Sequence, residues 1–161
     1  ECKRQHQSAD AVFMVGGGIL VHGVPLLHHA VEAAGGAAGA WPVGALWQVL
    51  TNLVTNAITH AFEGHTSPRI TITAAALGPD RVAMNVADNG QGIAPELLPR
   101  IFDPFVTTRM GRGGTGLGLH IVHNLVFNTL GGSVSVKSQV GEGTEFQLEL
   151  PRIAPAQARP E

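Results

Sequence analysis

The stretch Gly111-Arg112-Gly113-Gly114-Thr115-Gly116-Leu117-Gly118-Leu119 decides the fold, because two readings of it lead to different architectures. Taken literally, Gly111 to Gly116 satisfies G-x-G-x-x-G, the dinucleotide fingerprint of a doubly wound parallel sheet. That fingerprint needs a hydrophobic strand directly before it, and Phe105-Val106-Thr107-Thr108-Arg109-Met110 follows Pro104 and carries no such run. A Walker loop needs Gly-Lys-Ser/Thr at its end, where Gly118-Leu119-His120 stands. What remains is a phosphate cradle in outline: glycines whose N–H groups can approach a ligand closely, running into a helix start with free donors and a positive dipole end. A plain surface loop would use the same glycines, so the flanking segments must choose between the two.

Downstream, Leu117 to Leu130 reads as a helix stopped by Gly131 and Gly132. Val134 and Val136 alternate in one strand, Gly141-Glu142-Gly143-Thr144 turns, and Phe146, Leu148 and Leu150 alternate in the last strand, which Pro151 ends. Upstream, Leu46, Val49, Leu50, Leu53, Val54, Ala57, Ile58 and Ala61 recur at three- and four-residue steps. They predict a long amphipathic helix that begins near Pro42, ends near Phe62 and has Gly64 behind it as the stop. Asn52, Asn56 and His60, four residues apart, form a polar ribbon along its side. Ile70, Ile72 and Ala74, then Val82, Met84 and Val86, alternate about Gly78-Pro79-Asp80 as an antiparallel hairpin whose second strand ends at Asp88. Pro95 to Arg100 is a short helix at most, and Ile101-Phe102-Asp103-Pro104-Phe105 breaks regular structure while burying aromatics. Hairpins alternating with helices do not repeat βαβ; they predict an α+β fold, a two-layer α/β sandwich with a mixed, mostly antiparallel sheet and helices on one face.

Residues 1–40 are the least legible part. Glu1 to Asp10 is polar and unpatterned, a linking end; Ala11 to Val15 reads as a short strand and Ile19 to Ala33 as a helix leading into the unit spanning 41–151. Residues 152–161, rich in proline and alanine, read as a disordered tail. Ala11 to Ala34 is apolar enough to be weighed as a membrane span, but Gly16-Gly17-Gly18, Pro25, His22, His28, His29 and Glu32 are poor company for a lipid-facing helix. No basic leader precedes it, so a secretory signal is not expected. With 161 residues, 44% of them hydrophobic, and a formal net charge of −2, the chain is long enough for a real core and exerts no bulk pull on nucleic acid or anionic membrane. The single cysteine, Cys2, can form no internal bridge and is compatible with a reducing cytoplasm.

The order and spacing of the polar segments closely resemble the ATP-binding domain of sensor histidine kinases, in the wider family that includes gyrase, the Hsp90 chaperones and MutL. Asn52-Leu53-Val54-Thr55-Asn56-Ala57 looks like the N box, Asp88-Asn89-Gly90-Gln91-Gly92-Ile93 like the first glycine box, and Ile101-Phe102-Asp103-Pro104-Phe105 like the F box. Gly114-Thr115-Gly116-Leu117-Gly118-Leu119 looks like the second glycine box, and Gly141-Glu142-Gly143-Thr144-Glu145-Phe146 resembles the closing Gly-x-Gly-Thr-x-Phe strand. The likeness covers about Trp41 to Pro151 and implies the Bergerat-type fold, Mg-ATP as ligand, and transfer of the γ-phosphoryl group to a histidine.

The resemblance also implies roles. Asn56, on its own an ordinary exposed helix amide, would help hold Mg²⁺ against the phosphates, a role suited to a cation that keeps most of its ligands as phosphate and water. Asn52 stands where the gyrase-like ATPases resemble one another in a glutamate base; an amide cannot accept a proton, which argues for transfer over hydrolysis. Asp88, on its own a turn cap, would accept a hydrogen bond from the adenine amine and so select ATP over GTP. Gly90, Gly92 and Ile93 would bend the backbone around the base, with Thr144 near the Asp88 carboxylate and its water. Phe102 and Phe105 are expected as core plugs anchoring a lid from Val106 to Gly113. Arg109 and Arg112 read equally as solvated charges or as lid cations reaching the γ-phosphate. His60 is a candidate phosphate or ribose contact, the more so because Thr59 stands where many relatives carry a basic residue. His120 and His123, three apart on a helix, have no third ligand in sight for a metal.

No histidine in the first forty residues has the phosphoacceptor pattern: His6-Gln7, His22-Gly23 and His29-Ala30 all lack the acidic neighbour. The expected partners are therefore ATP, a dimerisation and phosphoacceptor domain outside this sequence and, indirectly, a response regulator, in the cytoplasmic portion of a sensor. Nucleic acid and membrane contact are not expected of this domain. The alternative is a non-catalytic nucleotide-binding or interaction module of the same fold.

Overall fold

The computed structural model describes residues 12–15, 19–22, 41–108 and 114–153. Its elements in chain order are β1 (Val12–Val15), β2 (Ile19–His22), α1 (Val43–His60), β3 (Arg69–Leu77), β4 (Arg81–Asp88), α2 (Gly118–Asn124), β5 (Ser133–Gln139) and β6 (Gly143–Pro151), with a single 3-10 turn at Leu98–Arg100. The strands make one six-stranded sheet in the order β1-β2-β3-β4-β6-β5. Only β2 and β3 run parallel; every other pair is antiparallel. A mixed, mostly antiparallel sheet under helices on one face is the expected α+β sandwich.

The core lies between sheet and helices, and the alternation seen in the sequence places it. Ile70 and Ile72 of β3, Val82, Met84 and Val86 of β4, and Phe146, Leu148 and Leu150 of β6 are all buried on the helix side. From above, α1 contributes Leu46, Val49, Leu50, Leu53 and Ala57, each on the apolar stripe that its three- and four-residue steps define. The Pro42 carbonyl accepts from the N–H groups of Ala45 and Leu46, so proline sits where its missing N–H costs nothing. Trp41, buried just before, donates from its indole Nε1 to the Pro151 carbonyl at 2.7 Å and so ties the start of the helical layer to the end of β6.

Two expectations are corrected. The helix expected from Ile19 begins as a strand: Leu20, Val21 and His22 pair with Arg69, Ile70 and Thr71. Ile-Leu-Val-His is too short for periodicity to tell strand from helix, and the free edge of β3, far along the chain, decides it. Residues 23–33 lie outside the described residues, as do the linking end 1–10 and the tail from 154. The helix after the glycine stretch is also not uniform. It is α-helical through Asn124 and then widens into a π turn at Leu125–Thr129, with Leu130 N–H reaching the Leu125 carbonyl at 2.9 Å. The wider turn rotates less per residue, which keeps Val122, Val126 and Leu130, all fully buried, on one stripe.

Candidate functional site

The inward-facing residues of the three adjacent strands β4, β6 and β5 change character at one end of the sheet. After Val82, Met84 and Val86 the next inward position on β4 is Asp88; before Phe146, Leu148 and Leu150 on β6 it is Thr144; after Val134 and Val136 on β5 it is Ser138. Asp88 pairs with Thr144 and Thr144 with Ser138, so the three form a polar row across adjacent strands at the edge of an apolar core.

The segment after Asp88 folds back against the end of α1. The backbone N–H of Gln91 donates to the Ala61 carbonyl at 2.8 Å and its side-chain amide to the His60 carbonyl, satisfying acceptors that a helix end leaves open. Gly90 packs so tightly under Ala61 that a Cβ would overlap both its carbonyl and its methyl group. Asn89 accepts from the Arg69 N–H at 2.8 Å and donates to the Ser67 carbonyl at 3.0 Å, which fixes the other side of the loop. Asp88 thereby faces inward with its carboxylate hydrogen-bonded to the Gly90 N–H at 2.9 Å. Burial pushes its pKa above the ordinary 3.8, against the backbone N–H groups of Gly90 and Thr144 and the charge of His65, which favour the ionised form.

Above this row opens a cavity of about 340 Å³, the size of a small-molecule site. Its walls are mostly apolar, formed by Ala61, Ile93, Leu97, Ile101, Val106, Leu119 and Val140, with Asp88 and Thr144 as polar groups on the sheet side. A second cavity of about 200 Å³ adjoins it and is polar: Asn52, Thr55, Asn56 and Thr59 from α1 face Gly114, Thr115, Gly116 and Gly118. Asn56, His60, Val106, Thr107 and Leu119 line both, so the two are chambers of one cleft. In the polar chamber Asn52 accepts from Gln48 at 3.2 Å through Oδ1, while its Nδ2 is buried with no hydrogen-bond partner among the described residues. Thr108 Oγ1 lies 3.2 Å from His60 Nδ1, joining α1 to the chain entering the glycine stretch.

Most residues expected at the site therefore line this cleft. Asp88, Gly92, Ile93 and Thr144 lie in the apolar chamber, Asn52, Gly114, Thr115, Gly116 and Gly118 in the polar one, and Asn56, His60 and Leu119 at the junction. Leu117 stands immediately before α2, and Gly90 acts beneath the surface through its fit against Ala61. Phe102 is half-buried, packed edge-on against Phe146 at 6.4 Å. Phe105 corrects the expectation of a second core plug: it is 64% exposed, with φ at 66°. Gly116 packs against the Phe105 backbone, its carbonyl accepting from the Phe105 N–H at 2.9 Å, and Ile101 is the buried anchor of this segment. Arg109 and Arg112 lie outside the described residues.

Ser138 carries no expectation from the sequence, and His120, weighed there only as half of a metal pair, has a structural part instead. Ser138 Oγ binds the Ile93 N–H, the Gly143 carbonyl and Thr144 Oγ1. His120 joins α2 to the Phe102 carbonyl at 3.0 Å. Ser138 could have been found, since it ends an inward stripe just as Asp88 does. Among the described residues no three His, Cys, Asp or Glu side chains are grouped to hold a metal, and no helix is long and apolar enough to cross a membrane.

Residues 43–154 match the family model of histidine kinase-, DNA gyrase B- and HSP90-like ATPases. The chain is 47% identical over 109 residues to the sensor histidine kinase ZraS of Salmonella typhi, a match that covers 68% of this chain and 22% of ZraS. Among solved structures it is similar to the catalytic domain of the histidine kinase ThkA, at 34% identity and a TM-score of 0.58 over 70% of each chain. It is also similar to full-length ShkA in complex with AMPPNP, at 40% identity and a TM-score of 0.57 over 71% of this chain and 23% of that one. This chain thus spans about a fifth of the length of ZraS. On the fold, the two-chambered cleft and these likenesses together, the chain belongs to the histidine kinase-, DNA gyrase B- and HSP90-like ATPase family, as the ATP-binding catalytic domain of a sensor histidine kinase.

Proposed function

We propose that the cleft binds Mg-ATP with the adenine in the apolar chamber and the phosphates in the polar one, and that the bound γ-phosphoryl group passes to a histidine on a separate dimerisation domain. The observation that carries this reading is the single carboxylate, Asp88, set in the wall of a mostly apolar cavity that opens directly onto a chamber of amides, hydroxyls and glycines. A buried, ionised acceptor beside apolar walls suits a flat base with an exocyclic amine, and donors without partners suit phosphate oxygens. Asn52 Nδ2 is such a donor.

In the transfer, the acceptor nitrogen attacks the γ-phosphorus, the bond from that phosphorus to the β–γ bridging oxygen breaks, and ADP leaves. The chain's part is to position and to stabilise charge. Asn56, at the junction of the chambers, would hold Mg²⁺ through its amide oxygen, and the ion would supply neutralising charge between the phosphates. The residues fit such an ion, since a cation bound chiefly by phosphates and water needs no cluster of protein carboxylates. Asn52, an amide where a carboxylate base would stand, cannot itself take a proton from water. His60 contacts phosphate or ribose, Gly114 to Leu119 line the phosphate end, and Arg109 and Arg112 act as lid cations. The working unit is 41–151, the cytoplasmic portion of a sensor whose phosphohistidine supplies a response regulator.

Calorimetric titration with Mg-ADP tests the binding, and its absence at millimolar nucleotide would sink the reading. Adding a phosphoacceptor domain of a related kinase in trans should give acid-labile, base-stable phosphate. If Mg-ADP binds but no such phosphate forms, the chain is instead a non-catalytic nucleotide-binding module.

A further inference from the structure

Ser138 makes three polar contacts, and together they fix where protons lie in the row beside Asp88. A hydroxyl has one proton. The Gly143 carbonyl, 2.9 Å from Ser138 Oγ, can only accept, so the serine proton points there. The Ile93 N–H, at 2.8 Å, can only donate, and it occupies a lone pair of the same oxygen. The third contact, Thr144 Oγ1 at 2.9 Å, must then be a hydrogen bond that Thr144 donates. Thr144, 6% exposed, has its only side-chain proton turned toward the sheet and presents lone pairs to the cavity it lines. Its neighbour in the row, Asp88, accepts from the Gly90 N–H and as a carboxylate offers lone pairs alone. The wall is therefore accepting across both strands.

We propose that Ser138 is a positioning residue for base selectivity: by drawing the Thr144 proton away from the cleft, it keeps the edge beside Asp88 purely accepting. Such an edge matches a base carrying an exocyclic amine, directly or through a water that itself donates. It opposes a base carrying a carbonyl at that position. Without Ser138, the Thr144 hydroxyl can rotate and offer its proton to that carbonyl. The inference rests on the adenine reading of the apolar chamber given above.

The experiment measures Kd by calorimetry for Mg-ADP and Mg-IDP, which differ at the exocyclic position and the adjoining ring nitrogen. The parent should prefer ADP by about 100-fold. Ser138→Ala should compress that ratio about tenfold. Thr144→Val should compress it too, and adding Ser138→Ala in that background should change it no further, because the proton being steered is gone. Equal weakening of both nucleotides by Ser138→Ala, with the ratio unchanged, would mean that the serine only braces the Ile93 loop, and would overturn the proposal. Should Ser138→Ala not fold, Ser138→Cys keeps the shape with a weaker donor and acceptor, and an unchanged ratio there overturns it equally. A parent that binds neither nucleotide fails the adenine reading itself, whereas a parent that binds both with a ratio indifferent to Ser138 fails this inference alone.

Discussion

The two chambers of the cleft are built by opposite means. The apolar chamber is set by backbone: Gly90 lies against Ala61, Gly143 against the Asp88 carbonyl and Gly92 against that of Gln139, each with no room for a Cβ. The polar chamber is set chiefly by side chains on one face of α1 and by glycines, of which Gly116 is closed against the Phe105 backbone while Gly118 has nothing within 4 Å of a would-be Cβ. A site made by interlocking backbone can discriminate between ligands of one shape, because its polar groups cannot move to suit a wrong one. A site made largely of helix-borne amides and hydroxyls leaves its hydrogen bonds for the ligand to complete. The first should carry selectivity and the second affinity for charge.

The same substitution in each chamber gives the largest contrast. Gly143→Ala places a methyl on the Asp88 carbonyl at a φ of 109° and should cost about 3 kcal/mol of stability, seen as a lowered denaturation midpoint. Gly118→Ala, at the first position of α2, should leave stability within about 0.5 kcal/mol while weakening Mg-ADP. Equal stability losses at the two positions would erase the distinction between the chambers.

Asp88→Asn comes next. It should weaken Mg-ADP about 30-fold, the scale of a hydrogen bond to a charged group. Because burial raises the folded-state pKa of Asp88, the folded chain holds this proton more tightly than the unfolded chain does. The stability this gives is complete below 3.8 and is lost as pH rises through the folded value. At neutral pH the ionised carboxylate is thus a cost to the fold, and Asp88→Asn should not lower the melting temperature. If Asp88 receives the base's amine as proposed, binding needs the ionised form, so parent affinity should fall as pH is lowered toward 3.8, and the variant should lose that dependence.

In the polar chamber, Asn56→Ala should weaken Mg-ADP about tenfold, leave adenosine binding unchanged and leave the preference for ADP over IDP intact. A shift in that preference would mean that the chambers are not separable at their junction.

Legibility in the sequence followed the range of the forces involved. The stripe of α1 and the inward alternation of β3, β4 and β6 are local patterns, and the buried set from Leu46 through Leu150 is the one they specify. Asp88, Gly90 and Gly92 were legible because a turn and its close backbone approaches leave a compact signature. Ile19–His22 was misread since its pairing partner Arg69–Thr71 lies beyond α1. Phe105 stands exposed with its backbone at a φ of 66°, a conformation that the spacing of aromatics does not encode. Ser138 and His120 owe their contacts to partners 45 and 18 residues away respectively, so the assembled sheet and loop show what each holds, although the inward stripe of β5 already points to Ser138.

His120 tests what joins the chambers. Its Nδ1 faces the Phe102 carbonyl, which can only accept, so Nδ1 carries the proton and Nε2 accepts from Asn124 Nδ2 at 3.0 Å. The ring thus ties α2, which carries Leu119 into both chambers, to the segment that carries Ile101 into the apolar one and Val106 into both. The Phe102 ring also packs on His123, whose ring centre is 5.6 Å from its own. His120→Phe keeps the bulk and removes both hydrogen bonds, and should cost about 1 kcal/mol of stability. Because the tie bears on walls common to both chambers, adenosine and Mg-ADP should weaken by the same small factor, about twofold to threefold, with the ADP to IDP ratio unmoved. A loss confined to Mg-ADP would place the work of His120 in the polar chamber alone. A loss shared by both ligands makes the Phe102 carbonyl the hinge on which the backbone-built and side-chain-built halves are held in register.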